Sequence, residues 1–213
     1  MWVADPIERV VVAASMGTAL GSTGIGIRTR ATRLGNAIRE ELSPSIPWVW
    51  LSSAVCRLLP PVAFSRLRAQ MLRLCGWSIG KRPLILGVPR FRGTGNIQSR
   101  LIIGDDVVIN EGCLIELAGR VTIGDGASLG HGVHLLTANH RLGTRERRAG
   151  LLESGDITVG AGAWIGSKTV VLPNVTIGEG AVVSANSLVS RAVPANCVVA
   201  GVPAVVVVKR LPG

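Results

Sequence analysis

Val159, Ile165, Val171, Ile177, Val183 and Val189 recur every six residues without a break. The same spacing joins Ile103, Ile109 and Ile115, and again Ile123, Leu129 and Leu135. A period of six is not helical. Repeated over many units, it marks a chain wound into stacked coils. Four residues after each aliphatic stands, in most hexads, a small or β-branched residue: Val107, Cys113, Ala127, Val133, Ala163, Thr169, Val175, Ala181, Ser187, Val193. Three residues after it stand Asp106, Gly112, Gly126, Gly132, Gly162, Asn174, Gly180 and Asn186. Gly, Asn and Asp are the types that tolerate a positive φ at a tight corner.

Three such hexads make a triangular coil of about 18 residues, each side a short parallel strand. Coils stack at about 4.8 Å. The pattern predicts one inward ladder of Ile103, Ile123, Val159 and Ile177, and a second of Ile109, Leu129, Ile165 and Val183. So narrow an interior has no room for rings. Phe91 and Trp164 are indeed the only Phe, Trp or Tyr between residues 79 and 213.

The repeat is interrupted twice. Ile115 to Ile123 is eight residues, a two-residue slip around Gly119. Leu135 to Val159 is 24 residues, but the in-phase positions are Arg141, Arg147 and Glu153, which cannot be core. Residues of about 141–156 are therefore expected to leave the coil as an excursion, and a loop thrown from a rigid scaffold is where function concentrates. The division expected is an N-terminal helical extension over 1–75 and a β-helix domain over 76–213. Helices are expected over 6–20, 29–42, 48–59 and 62–74, with a flexible link at 21–26 and a break at Pro60-Pro61. In the last helix Phe64, Leu67, Met71 and Leu74 form one stripe, read as packing, and Arg66, Arg68 and Arg73 another, read as solvated. The alternative is a helix lying on a membrane surface.

The net charge of +10 favours anionic partners. It is shared equally: residues 1–75 hold 9 basic and 4 acidic side chains and residues 76–213 hold 14 and 9, so each part is +5 and there is no basic tail. Aromatic content of 3% with no Tyr argues against modules on which single-stranded bases stack, and no nucleic-acid partner is expected. Four Cys without a CxxC pair argue for reduced thiols rather than a zinc or disulfide framework. The apolar run at 10–14 is too short to span a bilayer, and the stretch 46–64 is broken by Pro47, Arg57, Pro60 and Pro61.

Three segments resemble the hexapeptide acyltransferases, in particular the sugar O-acetyltransferases acting on galactosides, maltose, Nod factors and exopolysaccharides. They are INEGCLI at 109–115, LLTANH at 135–140, and AWIGSKTVVLPNVTIGEGAVVSANSLVSRAVPANCVVAGVPA at 163–204. The resemblance covers about residues 79–208. It implies a left-handed parallel β-helix, acetyl-CoA as acyl donor, no metal, and a homotrimer. A hydroxyl is a poor nucleophile near neutrality, so the transfer needs a positioned base. His140, ending TANH, matches that base; His131 and His134 read as coil-surface residues. Asn110 matches an acceptor-binding Asn, and Trp164 is a candidate wall of the thioester site or a subunit contact. Gly166, Ser167, Ala185, Ser190 and Arg191 match CoA-contacting positions, with backbone amides near Ser167 as oxyanion donors.

Several positions depart from the pattern. Arg141 follows the His where Pro is usual. Leu117 or Ala118 stands where the sugar enzymes often carry an acid, with Glu116 one position off. Val205 and Val208 replace two Arg, leaving Lys209 and Arg210 for the CoA phosphates. The implied activity is transfer of acetyl to a hydroxyl of a saccharide or glycolipid, in the cytoplasm, with contact at the inner face of a membrane through 46–75 left open. Serine or amino-sugar acetylation and a non-catalytic β-helix scaffold are the alternatives. Histidines three and six residues apart do not fit a zinc site of the γ-carbonic-anhydrase kind.

Overall fold

The computed structural model describes residues 54–55, 60 and 63–211. The expected helices over 6–20 and 29–42, and all but two residues of that over 48–59, lie outside the described residues.

From Ser78 onward the chain is a parallel β-helix with three faces. Face A stacks β1 (Ser78–Ile79), β4 (Leu101–Ile103), β7 (Val121–Ile123), β12 (Ile157–Val159) and β15 (Thr176–Ile177). Face B stacks β2 (Leu84–Ile85), β5 (Val108–Ile109), β8 (Ser128–Leu129), β13 (Trp164–Ile165), β16 (Val182–Val183) and β18 (Val198–Gly201). It ends with β19 (Ala204–Val208), which folds back antiparallel on β18. Face C stacks β3 (Arg90–Arg92), β6 (Leu114–Glu116), β9 (His134–Leu135), β14 (Val170–Val171) and β17 (Leu188–Val189). One hairpin, β10 (Ala138–Leu142) and β11 (Ala149–Ser154), stands outside the coil.

Both expected ladders are in register: Ile103 with Ile123, Val159 and Ile177, and Ile109 with Leu129, Ile165 and Val183. Every inward aliphatic of the hexads named above is buried, as are all the small or β-branched residues named four positions on. All eight expected corner residues have positive φ. Lys168, Arg82 and Asn196 adopt it too, at corners the repeat did not single out. The core is thus a column of branched aliphatics, closed at its N-terminal end by Trp77 stacked on Phe91 with ring centroids 4.2 Å apart.

The helix α1 (Ser65–Leu74) lies over that end and buries a face other than the expected one, while Arg66 is exposed as expected. Phe64, Leu67 and Leu74 are exposed, while Arg68, Ala69 and Leu72 are buried, Arg68 to 1%. The reason is the backbone of the first coil, which has no coil beneath it to take up its carbonyls. Arg68 donates to the carbonyls of Ile85, Pro60 (2.9 Å) and Ala63 (3.3 Å). Arg73 donates to those of Ile79 (2.9 Å) and Gly80. Guanidinium groups supply the donors that a missing coil would have provided, which an aliphatic stripe could not do. No helix among the described residues is long and apolar enough to cross a membrane.

Candidate active site

The excursion begins and ends earlier than the sequence suggested and is ordered as paired strands. It leaves the C-to-A edge of the prism after Thr137, runs as an antiparallel hairpin over 138–154, and rejoins the coil at Gly155. Strand pairing keeps His140, Arg141 and Leu142 in β10, so the break with the six-residue phase precedes the charged positions that signalled it. His140 pairs with Leu152 and Leu142 with Ala149, so Gly150 and Leu151 together oppose Arg141. That is a β-bulge, which turns a backbone group out of the regular ladder. The carbonyl of Gly150 lies 2.9 Å from His140 Nδ1. A Cβ at Gly150 would come within 2.7 Å of the Arg141 carbonyl oxygen, so this close crossing requires glycine. Arg141, where Pro was usual, forms an ion pair with Glu153 across the hairpin.

The hairpin root is tied to the slipped coil beneath it. Thr137, fully buried, donates its hydroxyl to the Glu116 carbonyl at 2.9 Å and accepts from the amides of Ala118 and Gly119, both at 3.1 Å. Gly155 N–H donates to the Thr137 carbonyl at 2.8 Å. The Glu116 carboxylate accepts from Ala138 N–H at 2.8 Å.

The remaining candidates fall on two edges. Asn110, Gly166, Ser167 and Ala185 line the B-to-C edge, just after β5, β13 and β16. Ser190 and Arg191 follow β17 on the C-to-A edge, the edge from which the hairpin rises. Among the described residues no hydrogen bond joins His140 to either group.

Asn110 is half-buried and donates from Nδ2 to the Leu129 carbonyl at 2.8 Å. It does not have positive φ; Gly112 makes that corner's turn. Gly166 is buried, and a Cβ there would meet the Ala185 nitrogen at 2.5 Å, so it serves coil stacking. The amides of Gly166 and Lys168 donate to Val183 (2.7 Å) and His131 (2.8 Å). That of Ser167, between them, has no acceptor among the described residues. Trp164 is 58% exposed and sits within an outward row on face B, in register with Val182 on one side and, through Ser128, with Val108 and Leu84 on the other.

Among the described residues no cluster of three or more His, Cys, Asp and Glu is placed to hold a metal ion. Gly150 gave no sequence signal; Thr137 lies within the LLTANH segment and Glu116 stands one position from the expected acid, but nothing in the sequence pointed to the contacts they make.

A six-residue β-helix carrying an extruded hairpin with a histidine at its root defines a hexapeptide-repeat protein of the transferase class. The bacterial transferase hexapeptide (six repeats) family matches over residues 156–191. The protein named colanic acid biosynthesis acetyltransferase WcaF in Escherichia coli (strain K12) is 32% identical over 179 residues, spanning 84% of this chain and 91% of that one. Galactoside O-acetyltransferase of the same organism is 38% identical over 105 residues, 49% of this chain and 52% of its own. Among solved structures, a hexapeptide-repeat acetyltransferase from Vibrio cholerae O1 biovar eltor, complexed with acetyl coenzyme A, superposes with a TM-score of 0.64 at 27% identity, covering 81% of this chain and 92% of that one. The chain belongs to the hexapeptide-repeat transferases and is an acetyltransferase.

Proposed function

We propose that this enzyme moves the acetyl group of acetyl-CoA to a hydroxyl of a saccharide, free or carried on a glycolipid, with His140 as general base and with sites formed between copies in a homotrimer. The observation that carries this reading is the contact of His140 Nδ1 with the Gly150 carbonyl. A carbonyl oxygen can only accept, so Nδ1 holds the proton and Nε2 presents its lone pair. The imidazole is exposed, so Nε2 is open to an acceptor. It takes the hydroxyl proton as the acceptor oxygen attacks the thioester carbonyl carbon. The Ser167 amide is the donor suited to the oxyanion. The C–S bond then breaks, and the departing CoA sulfur recovers the proton from the imidazolium. The products are the acetyl ester and free CoA.

Two features support the remaining parts. Candidate residues lie on separate edges of one prism, as they would if each site drew on two copies. The exposed Phe64, Leu67 and Leu74 of α1 favour an acceptor presented on a lipid. Thioester consumption measured against free saccharides, nucleotide sugars, lipid-linked saccharides and serine distinguishes the acceptor classes. His140→Ala is expected to lower kcat by roughly 10²–10⁴-fold and to leave acetyl-CoA affinity nearly unchanged. A His140→Ala enzyme as fast as the parent, or one matched in its loss by His134→Ala, would overturn the assignment of the base.

A further inference from the structure

The two interruptions of the repeat are one device. The slip at 115–123 adds two residues at the C-to-A edge, directly beneath the point where the next coil throws out the hairpin. The N–H three residues after an inward aliphatic donates to a carbonyl of the preceding coil, as Gly132 does to Glu111 at 2.9 Å. At Ala138, which holds that position after Leu135, no backbone carbonyl of the preceding coil accepts among the described residues. The Glu116 carboxylate takes its place at 2.8 Å. The widened corner also supplies the Ala118 and Gly119 amides and the Glu116 carbonyl that saturate the buried Thr137 hydroxyl. It further lets the returning strand pass close: a Cβ on Gly119 would meet the Gly155 carbonyl oxygen at 2.5 Å.

We propose that Glu116 is a positioning residue for acetyl transfer: by holding the Ala138 N–H it fixes the take-off of β10 and so the place of His140 two residues later. It acts through the backbone of the hairpin root and is not required to touch either substrate. The proposal rests on the reading of His140 as the base. It follows from the geometry of charge-assisted hydrogen bonding: a carboxylate on a half-buried amide is a short, directional anchor. A base displaced by about 1 Å loses up to about 10²-fold in rate.

The test compares Glu116→Ala, Glu116→Gln and Glu116→Asp in the full-length enzyme, following kcat, acetyl-CoA affinity, Tm and amide exchange of the hairpin by mass spectrometry. Glu116→Ala is expected to lower kcat by about 10–100-fold, to leave acetyl-CoA affinity within about twofold, and to speed exchange across 138–154. Glu116→Gln keeps an oxygen acceptor at the same reach and should restore both the rate and the protection. Glu116→Asp, one methylene short of Ala138, should behave like Glu116→Ala and carries the comparison if the alanine variant does not fold. A parental kcat in Glu116→Ala or Glu116→Asp overturns the proposal. So does a slow Glu116→Gln enzyme whose hairpin exchanges like the parent's, because that places the charge itself on a reacting group. His140→Ala measured alongside separates the two claims. If it retains full activity the base is misassigned, while the exchange data still decide whether Glu116 anchors the hairpin.

Discussion

Cys113 packs into the corner that carries Asn110, its thiol reaching the Asn110 carbonyl at 3.2 Å and the Gly130 carbonyl at 3.3 Å. Burial pushes this thiol up from its ordinary 9.0 to about 11. A thiol raised on folding stabilises the native state fully below its unfolded value, and that contribution is lost as pH rises from about 9 through 11. The loss amounts to roughly 2–3 kcal/mol at the upper end. The thiolate also cannot donate to either carbonyl. Melting of the parent between about pH 8 and 11 should therefore fall faster than melting of Cys113→Val. Val is the residue that neighbouring corners use at Val107 and Val133. Parallel alkaline losses in the two proteins would show that another group governs that window. Residues of this kind were legible because position within the hexad alone assigns each one an environment. Glu116 and Gly150 were not legible, because their roles lie in contacts set by a slip and a bulge. The bond from Glu116 to Ala138 spans 22 residues and exists only once the widened corner lies under the hairpin root.

Among the elements, the strands and the span of α1 followed from the sequence, and the face that α1 buries did not. Each strand places an aliphatic inward at the hexad position, so period and burial agree whatever the neighbouring coils do. A helix at the end of a β-helix faces backbone carbonyls rather than side chains, and periodicity of apolar residues does not anticipate that surface. Arg68 lies on the buried face because its fork supplies donors to three carbonyls from there. Arg68→Ala is expected to destabilise the fold by about 2–4 kcal/mol, combining lost charge-assisted hydrogen bonds with a cavity. Arg66→Ala, at an exposed position of the same helix, should stay within about 0.5 kcal/mol of the parent. Chemical denaturation that ranks the two equally would mean that Arg68 is not what closes the first coil. The hairpin shows the same limit. Arg and Glu at in-phase positions marked an excursion, but pairing between β10 and β11 set its ends.

For the whole molecule, the proposed trimer accounts for the separation of the candidate residues. His140 rises from the C-to-A edge, while Asn110 and Ser167 line the B-to-C edge of the same prism. A site drawing on both edges forms if one copy's hairpin meets its neighbour's B-to-C edge. Such a contact joins unlike surfaces, and with a rotation of one third of a turn it closes into the proposed trimer. The outward row through Trp164 on face B is surface that such a contact would cover. Light scattering should then give a trimer mass. The sharper test mixes two defects. His140→Ala removes the base from one edge and Asn110→Ala the acceptor contact from the other. Each homotrimer should be impaired at all its sites, Asn110→Ala by at least about tenfold in kcat/KM from the loss of a polar contact to the acceptor. Unfolding and reassembling an equal mixture should restore about one quarter of the sites, those pairing an intact hairpin from one variant with an intact edge from the other. Activity that stays at the mean of the two separate variants after reassembly would place the whole site within one chain, and the hairpin would then have to reach its own B-to-C edge.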